Sequence, residues 1–181
     1  MNKQVLHISA AALLAMGVGI ASTAVASQGQ VTFNGQLTND TCVIKAGDEN
    51  KVVTLPRIST STLSASGRIA GSTMFTIAIE KCSTGISSAA AHWETTNMNP
   101  DTGNARNQAT GTTAATNVDV QLLDRDGTTV LRLGSRGAPI AVSGTGDARG
   151  ATLNYGGQYY SFGAATAGTV TAVARFTLAY N

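Results

Sequence analysis

The hydrophobic pattern of this chain has a period of two almost everywhere, and a chain that alternates in this way can bury an apolar face as strands but not as helices. The final segment shows the pattern at greatest length. Val170, Ala172, Ala174, Phe176, Leu178 and Tyr180 fall on one face, opposed by Thr171, Val173, Arg175, Thr177 and Ala179. Phe75, Ile77 and Ile79 alternate with Met74, Thr76, Ala78 and Glu80 and run into Cys82, so a strand should end at that cysteine. Val118, Val120 and Leu122 alternate as well, and Asp126-Gly127 supplies turn chemistry before Val130, Leu131 and Leu133, which is a hairpin signal. Val52, Val53 and Leu55 form a short apolar run ended by Pro56.

Further strands are predicted at 140–142, 151–155 and 158–162, with glycines at 144, 146, 150, 156 and 157 punctuating them. Residues 97–116 are rich in Asn, Thr, Gly and Ala without an apolar pattern and read as a long exposed loop. Near the start, Val31, Phe33 and Leu37 alternate with polar neighbours, while Gly29 and Gly35 fall in the apolar register. That predicts a half-buried strand with two gaps on its apolar face. Many short strands separated by Gly-rich turns indicate an all-β sandwich.

The first 26 residues read as an address label. One cation, Lys3, precedes an apolar run from Ile8 to Ile20, and Ala24-Val25-Ala26 supplies small residues for cleavage. This is the pattern of a secretory signal peptide, and its apolar run is too short to span a bilayer. No transmembrane segment is expected after its removal. The remaining chain holds only Cys42 and Cys82, which in an oxidising compartment should pair. Closing a loop of roughly 40 residues contributes about 4 kcal/mol in the chain-entropy model.

A net charge of +2 and a charged share of 12% leave no basic patch for nucleic acid. Two thiols so far apart, with one histidine beyond the leader, make no zinc site, and no cofactor is expected. The acidic residues Asp48-Glu49 and Asp124 with Asp126 read as solvated turns, because no repeated ligand spacing makes a calcium loop.

Four features together carry a family resemblance. The extension Gly29-Gln30-Val31-Thr32-Phe33-Asn34-Gly35 precedes the first cysteine, and Phe75-Thr76-Ile77-Ala78-Ile79-Glu80-Lys81-Cys82 leads into the second. Thr116-Asn117-Val118-Asp119-Val120-Gln121-Leu122-Leu123-Asp124 forms a central stretch, and the alternating C-terminal strand ends with a penultimate Tyr180. In this order, behind a signal peptide, they resemble the chaperone-usher pilins of the type 1 fimbrial family.

That resemblance implies an incomplete immunoglobulin-like β-sandwich, lacking one strand and completed by a donor strand from a neighbouring subunit. It divides the chain into a signal peptide at 1–26, a donor-strand extension at 27–38 and a pilin domain at 39–181. The donor face would be Gly29, Val31, Phe33, Gly35 and Leu37. The acceptor edge, which also binds the chaperone, would be Val170, Ala172, Ala174, Phe176, Leu178, Tyr180 and Asn181. The implied partners are neighbouring pilin subunits in a homo-polymer, a periplasmic chaperone, an outer-membrane usher and a tip adhesin. The implied location is a fimbrium on the bacterial surface, supporting cell adhesion. The extension departs from the family in being shorter than in many major subunits, and Gly29 offers no side chain as an upstream anchor.

Two other classes of function compete. A secreted enzyme would have to use His92, beside Trp93, yet no G-x-S-x-G elbow accompanies it, and a lone His on a strand is a poor base without an orienting group. The run Gly144-Thr145-Gly146-Asp147-Ala148-Arg149-Gly150 has the wrong spacing for a dinucleotide loop and reads as a turn. A freestanding carbohydrate-binding module would need Trp93, Tyr155, Tyr159 and Tyr160 exposed together, whereas packing in the core and at subunit interfaces is the simpler expectation for them.

Overall fold

The computed structural model describes residues 29–181. The expected signal peptide lies outside them, as do the first residues of the expected extension. Among the described residues, no helix is long and apolar enough to cross a membrane. Residues 29–36 are the described part of a first unit, and they are exposed throughout and without ladder partners.

The second unit, 37–181, is a sandwich of two antiparallel sheets. Its strands are β1 (Val43–Ile44), β2 (Ile69–Glu80), β3 (Ser88–Trp93), β4 (Ala105–Arg106), β5 (Val118–Leu123), β6 (Val130–Leu131), β7 (Ile140–Ala141), β8 (Ala151–Ser161) and β9 (Phe176–Tyr180). One sheet runs in the order β1-β2-β8-β5-β4, with β6 paired to β5; the other runs β7-β3-β9. Among the described residues, regular helix is confined to two short 3-10 turns, Thr60–Leu63 and Gly146–Ala148.

The alternation in β2 does what it predicts, burying Ile77 and Ile79 to 1% and 3% exposure while Thr76 and Ala78 face outward or stay half-buried. Opposite them, β3 contributes Ala89, Ala90 and Ala91, all fully buried, so the two sheets approach closely over small side chains. Around this layer Trp93 packs edge-on against Tyr155, with ring centroids 5.2 Å apart, and at a tilt against Phe176, at 5.5 Å. Cys42 and Cys82 are joined as a disulfide beside β1 and the end of β2, both sulfurs within the core cluster.

Four local readings change. Gly156 and Gly157 do not separate two strands; β8 runs through both, paired to β2 on one side and β5 on the other. A Cβ at Gly156 would lie 2.8 Å from the Met74 sulfur and 3.2 Å from Leu123, so the missing side chain is what lets these neighbours close over the strand. Secondly, residues 30–38 are not a half-buried strand, since Val31, Phe33 and Leu37 are 76%, 91% and 100% exposed. Alternation prepares a segment for a sheet but supplies no partner for it.

Thirdly, the segment 97–116 is not simply an exposed loop. It holds β4 and the buried Asn99 and Asn104, and Asn99 Nδ2 and Thr102 Oγ1 donate to the buried Asp119 carboxylate at 2.7 and 3.1 Å. Asn99, Thr102 and Asp119 satisfy one another inside, a pattern that hydropathy does not register, whereas the buried Nδ2 and Oδ1 of Asn104 have no hydrogen-bond partner. Finally, Asp124 is buried rather than solvated: its carboxylate accepts the backbone N–H groups of Arg125 and Ala138 at 2.8 and 2.9 Å. Asp126 remains exposed in the β5–β6 turn, where bonds from Thr129 and Thr128 hold its carboxyl down at about 2.

Candidate functional site

A largely apolar cavity of about 1020 Å³ opens between two stretches of chain. Its floor is the core itself: Phe75 and Ile77 from β2, Trp93 from β3, Val120 and Leu122 from β5, and Gly157 from β8. These side chains are presented there because each sits on the inward register of its strand. At Gly157 the floor is bare backbone, and an added Cβ would meet only Val120 and Leu55, at 3.7 and 4.0 Å.

One rim is the C-terminal stretch. Val170, Ala172, Ala174, Phe176, Leu178 and Tyr180 are all half-buried, while Thr171, Val173, Arg175 and Thr177 are exposed. The predicted face is therefore real over its full length, although only 176–180 is laddered as β9. Residues 170–175 are extended without belonging to a ladder. Asn107 fixes their start, its Oδ1 accepting the Thr171 N–H at 2.9 Å, while the Gln108 N–H donates to the Thr171 carbonyl at 2.7 Å.

β9 pairs with β3 on one side only. Asn181 and Ser88 exchange both backbone bonds, and the Glu94 N–H reaches the Arg175 carbonyl, so 175, 177, 179 and 181 bond inward to β3. In an antiparallel ladder the intervening residues, Phe176, Leu178 and Tyr180, then direct their N–H and C=O groups away from β3, along the cavity rim. Among the described residues no strand pairs with that edge. Asn181 is exposed, and its backbone oxygen accepts from Ser87 and Ser88.

The other rim is residues 51–55, which sequence reading left without a role. Val53 and Leu55 are half-buried toward the cavity, Val52 is 87% exposed, and the segment has no ladder partner. The signal was present in the alternation of Val53 and Leu55, and Pro56, which has no N–H to donate, accounts for the absence of a ladder beyond it. The site thus has an apolar floor and two unpaired backbone rims. Chemically it can accept an extended segment that brings alternating apolar side chains and a ladder of backbone bonds.

The donor residues named from sequence, Gly29, Val31, Phe33, Gly35 and Leu37, all lie in exposed chain without strand structure. His92 is half-buried on β3, with its backbone facing Thr177 of β9. Trp93 and Tyr155 are buried at 2% and 1% exposure, so the four aromatics do not form a displayed stacking platform. Among the described residues no cluster of His, Cys, Asp or Glu could hold a metal ion.

Comparison with known proteins agrees with this geometry. A family model described as fimbrial protein matches residues 31–181. The chain is 40% identical over 167 residues to the F17 fimbrial protein of Escherichia coli, covering 88% of this chain and 91% of that one. It is 39% identical over 163 residues to the major fimbrial subunit SMF-1 of Stenotrophomonas maltophilia, covering 86% and 94%. In fold it is similar to a subunit of a chaperone-usher pilus, with a TM-score of 0.60 at 20% identity over 89% of this chain and 100% of that one. A two-sheet sandwich with an open apolar cleft beside its last strand is the incomplete immunoglobulin-like fold of such pilins. The chain belongs to the fimbrial protein family and is a structural subunit of a bacterial surface fimbria.

Proposed function

We propose that this subunit polymerises by donor-strand exchange, the cavity of one copy receiving the N-terminal extension of the next. The single observation that carries the reading is the cavity with two unpaired rims and a core floor. An open cleft of this kind exposes core side chains and an unpaired edge, both of which promote uncontrolled association unless covered. The extension, 27–38 after removal of a signal peptide at 1–26, offers Val31, Phe33 and Leu37 as side chains for the floor of domain 39–181. Burying each contributes about 1.5–3 kcal/mol.

Gly29 and Gly35 would mark places where the incoming strand meets shallow floor. Val170, Ala172, Ala174, Phe176, Leu178, Tyr180 and Asn181 serve as acceptor edge, first for a periplasmic chaperone and then, at an outer-membrane usher, for the next subunit. A tip adhesin would terminate the fibre. Once inserted, the strand completes the core, so its release requires much of the acceptor domain to open, and the polymer endures kinetically. The role is assembly rather than catalysis; His92, the histidine available on the domain, is half-buried on β3 with its backbone paired to Thr177.

The test is an immunoblot of material sheared from cells, run in SDS without heating and again after boiling in acid. The expected result is a ladder that collapses to a monomer near the mature mass. A monomer band under both treatments overturns the reading.

A further inference from the structure

Asn34-Gly35 is the single Asn-Gly step in the chain, and it falls in the middle of the exposed extension. Both residues are exposed and outside any ladder, and a Cβ built on Gly35 would meet nothing within 4 Å. We infer that Asn34 is a site of spontaneous deamidation in the unassembled subunit, and that insertion of the extension into a neighbour protects it. The protective half rests on the donor-strand reading above.

The chemistry needs a mobile backbone and an unhindered nucleophile. The backbone nitrogen of Gly35 attacks Cγ of Asn34 and gives up its proton. A new C–N bond forms, the Cγ–Nδ2 bond breaks, and ammonia departs with that proton, leaving a cyclic imide. Water then adds to either imide carbonyl, opening it to aspartate or isoaspartate. A residue with a side chain in place of Gly35 would crowd the attack, whereas glycine leaves it open and lets the backbone reach the folded-over geometry that an extended strand forbids.

Other asparagines contrast with this one. Asn99 is followed by Pro100, which has no N–H with which to attack, and Asn104 is 1% exposed and precedes Ala105. In a cavity between two rims, by contrast, each N–H of an inserted strand points at one rim or the other. The Gly35 nitrogen is then held in a ladder bond and the extended backbone keeps it away from Cγ. Ageing therefore marks subunits that wait, and spares those already in the fibre.

The product is damaging to the same segment that suffers it. Aspartate adds a negative charge beside the apolar register, and isoaspartate also lengthens the backbone by a methylene, displacing Leu37 relative to Val31 and Phe33. Since side chains alternate with a strict period of two, such a shift spoils the fit of one end of the strand when the other is seated.

Full-length mature chain held unassembled as its complex with the periplasmic chaperone, and sheared fibres, incubated side by side in the same buffer, provide the test. Peptide mass mapping and isoaspartyl methyltransferase labelling at residue 34 are the readouts. The expected result is several-fold more conversion in unassembled chain than in fibres, abolished by Asn34→Gln, and slower entry of aged chain than fresh chain into the SDS-resistant ladder. Conversion at Asn34 no faster than at Asn39, which lies in the same exposed stretch before Asp40, overturns the proposed site. Equal conversion in fibres and free chain overturns the protection. The ladder seen with Asn34→Gln subunits reports separately on donor-strand exchange, so a failure of that reading is distinguishable from a failure at Asn34.

Discussion

The hydroxyl of Tyr180 accepts the backbone N–H of Cys42 at 3.1 Å, tying the penultimate residue of the chain to one half of the disulfide across 138 positions of sequence. Thr41 Oγ1 stands 3.3 Å from the same hydroxyl. The tyrosine therefore does two things at once: its ring lies on the cavity-side face of β9, and its tip anchors that strand to the segment leading into β1. Tyr180→Phe keeps the ring and removes the anchor. The expected cost is about 1 kcal/mol, read as a lowered denaturation midpoint in a subunit whose cleft is filled by a donor segment fused at its C-terminus.

Tyr155 makes the corresponding buried contact, its Oη accepting the Ala91 N–H at 2.8 Å. Burial pushes its phenol above the ordinary value of 10.0, with the Asp124 carboxylate adding to the effect and the Ala91 bond opposing it. Burial raises Tyr159 as well. The folded state thus favours the neutral phenol, so this stabilisation is complete below about pH 10, where the unfolded phenol begins to ionise, and is lost as pH rises through the higher folded value. Stability should fall steeply in that alkaline window, and Tyr155→Phe should make the fall shallower. The same variant should lose about 1–3 kcal/mol at neutral pH, because the Ala91 N–H is left buried without an acceptor.

Cys42→Ser should reduce periplasmic accumulation of the subunit. The bond closes a separation of 40 residues, worth about 4 kcal/mol in the chain-entropy model, a large part of the stability of a small domain. Steady-state subunit level on a reducing and non-reducing blot is the measurement, and unchanged yield of the serine variant counts against a structural role.

On the donor-strand exchange proposed above, Gly35→Arg should leave a chaperone-bound monomer while stopping polymerisation, since the cleft that would receive residue 35 belongs to another copy. Fibres of normal length from this variant would remove the donor assignment.

Neighbouring positions on the C-terminal rim of the cavity make a paired test of the proposed acceptor role. Ala174 is half-buried toward the cavity and Val173 is 43% exposed on the opposite face. Ala174→Glu should abolish the SDS-resistant ladder by putting an unpaired carboxylate into an apolar cleft. Val173→Glu should assemble at the normal level, and loss of the ladder in both variants would mean that the face of the strand is irrelevant.

Much of this molecule can be read along the chain because strands announce themselves locally. The alternation of β2 and of 170–180, the Asp126-Gly127 turn between β5 and β6, and the pairing of the two cysteines each depend on residues close in sequence or on simple counting. What escaped such reading was long-range. The 51–55 rim becomes recognisable only when it stands across the cavity from 170–177, and Gly156-Gly157 resembles a break until Met74 and Leu123 are seen closing over it. Asn99, Thr102 and Asp119 look like solvated polar residues because their compensation is mutual and internal.

The sequence by itself determined an all-β chain, a cysteine pair to brace it, and an extension patterned for a sheet, since side-chain periodicity is a property of the local backbone. Only the tertiary structure decided where the sheets stop pairing. Edges, clefts and buried polar bonds depend on which strands become neighbours, and that is settled by the packing of segments far apart in the chain.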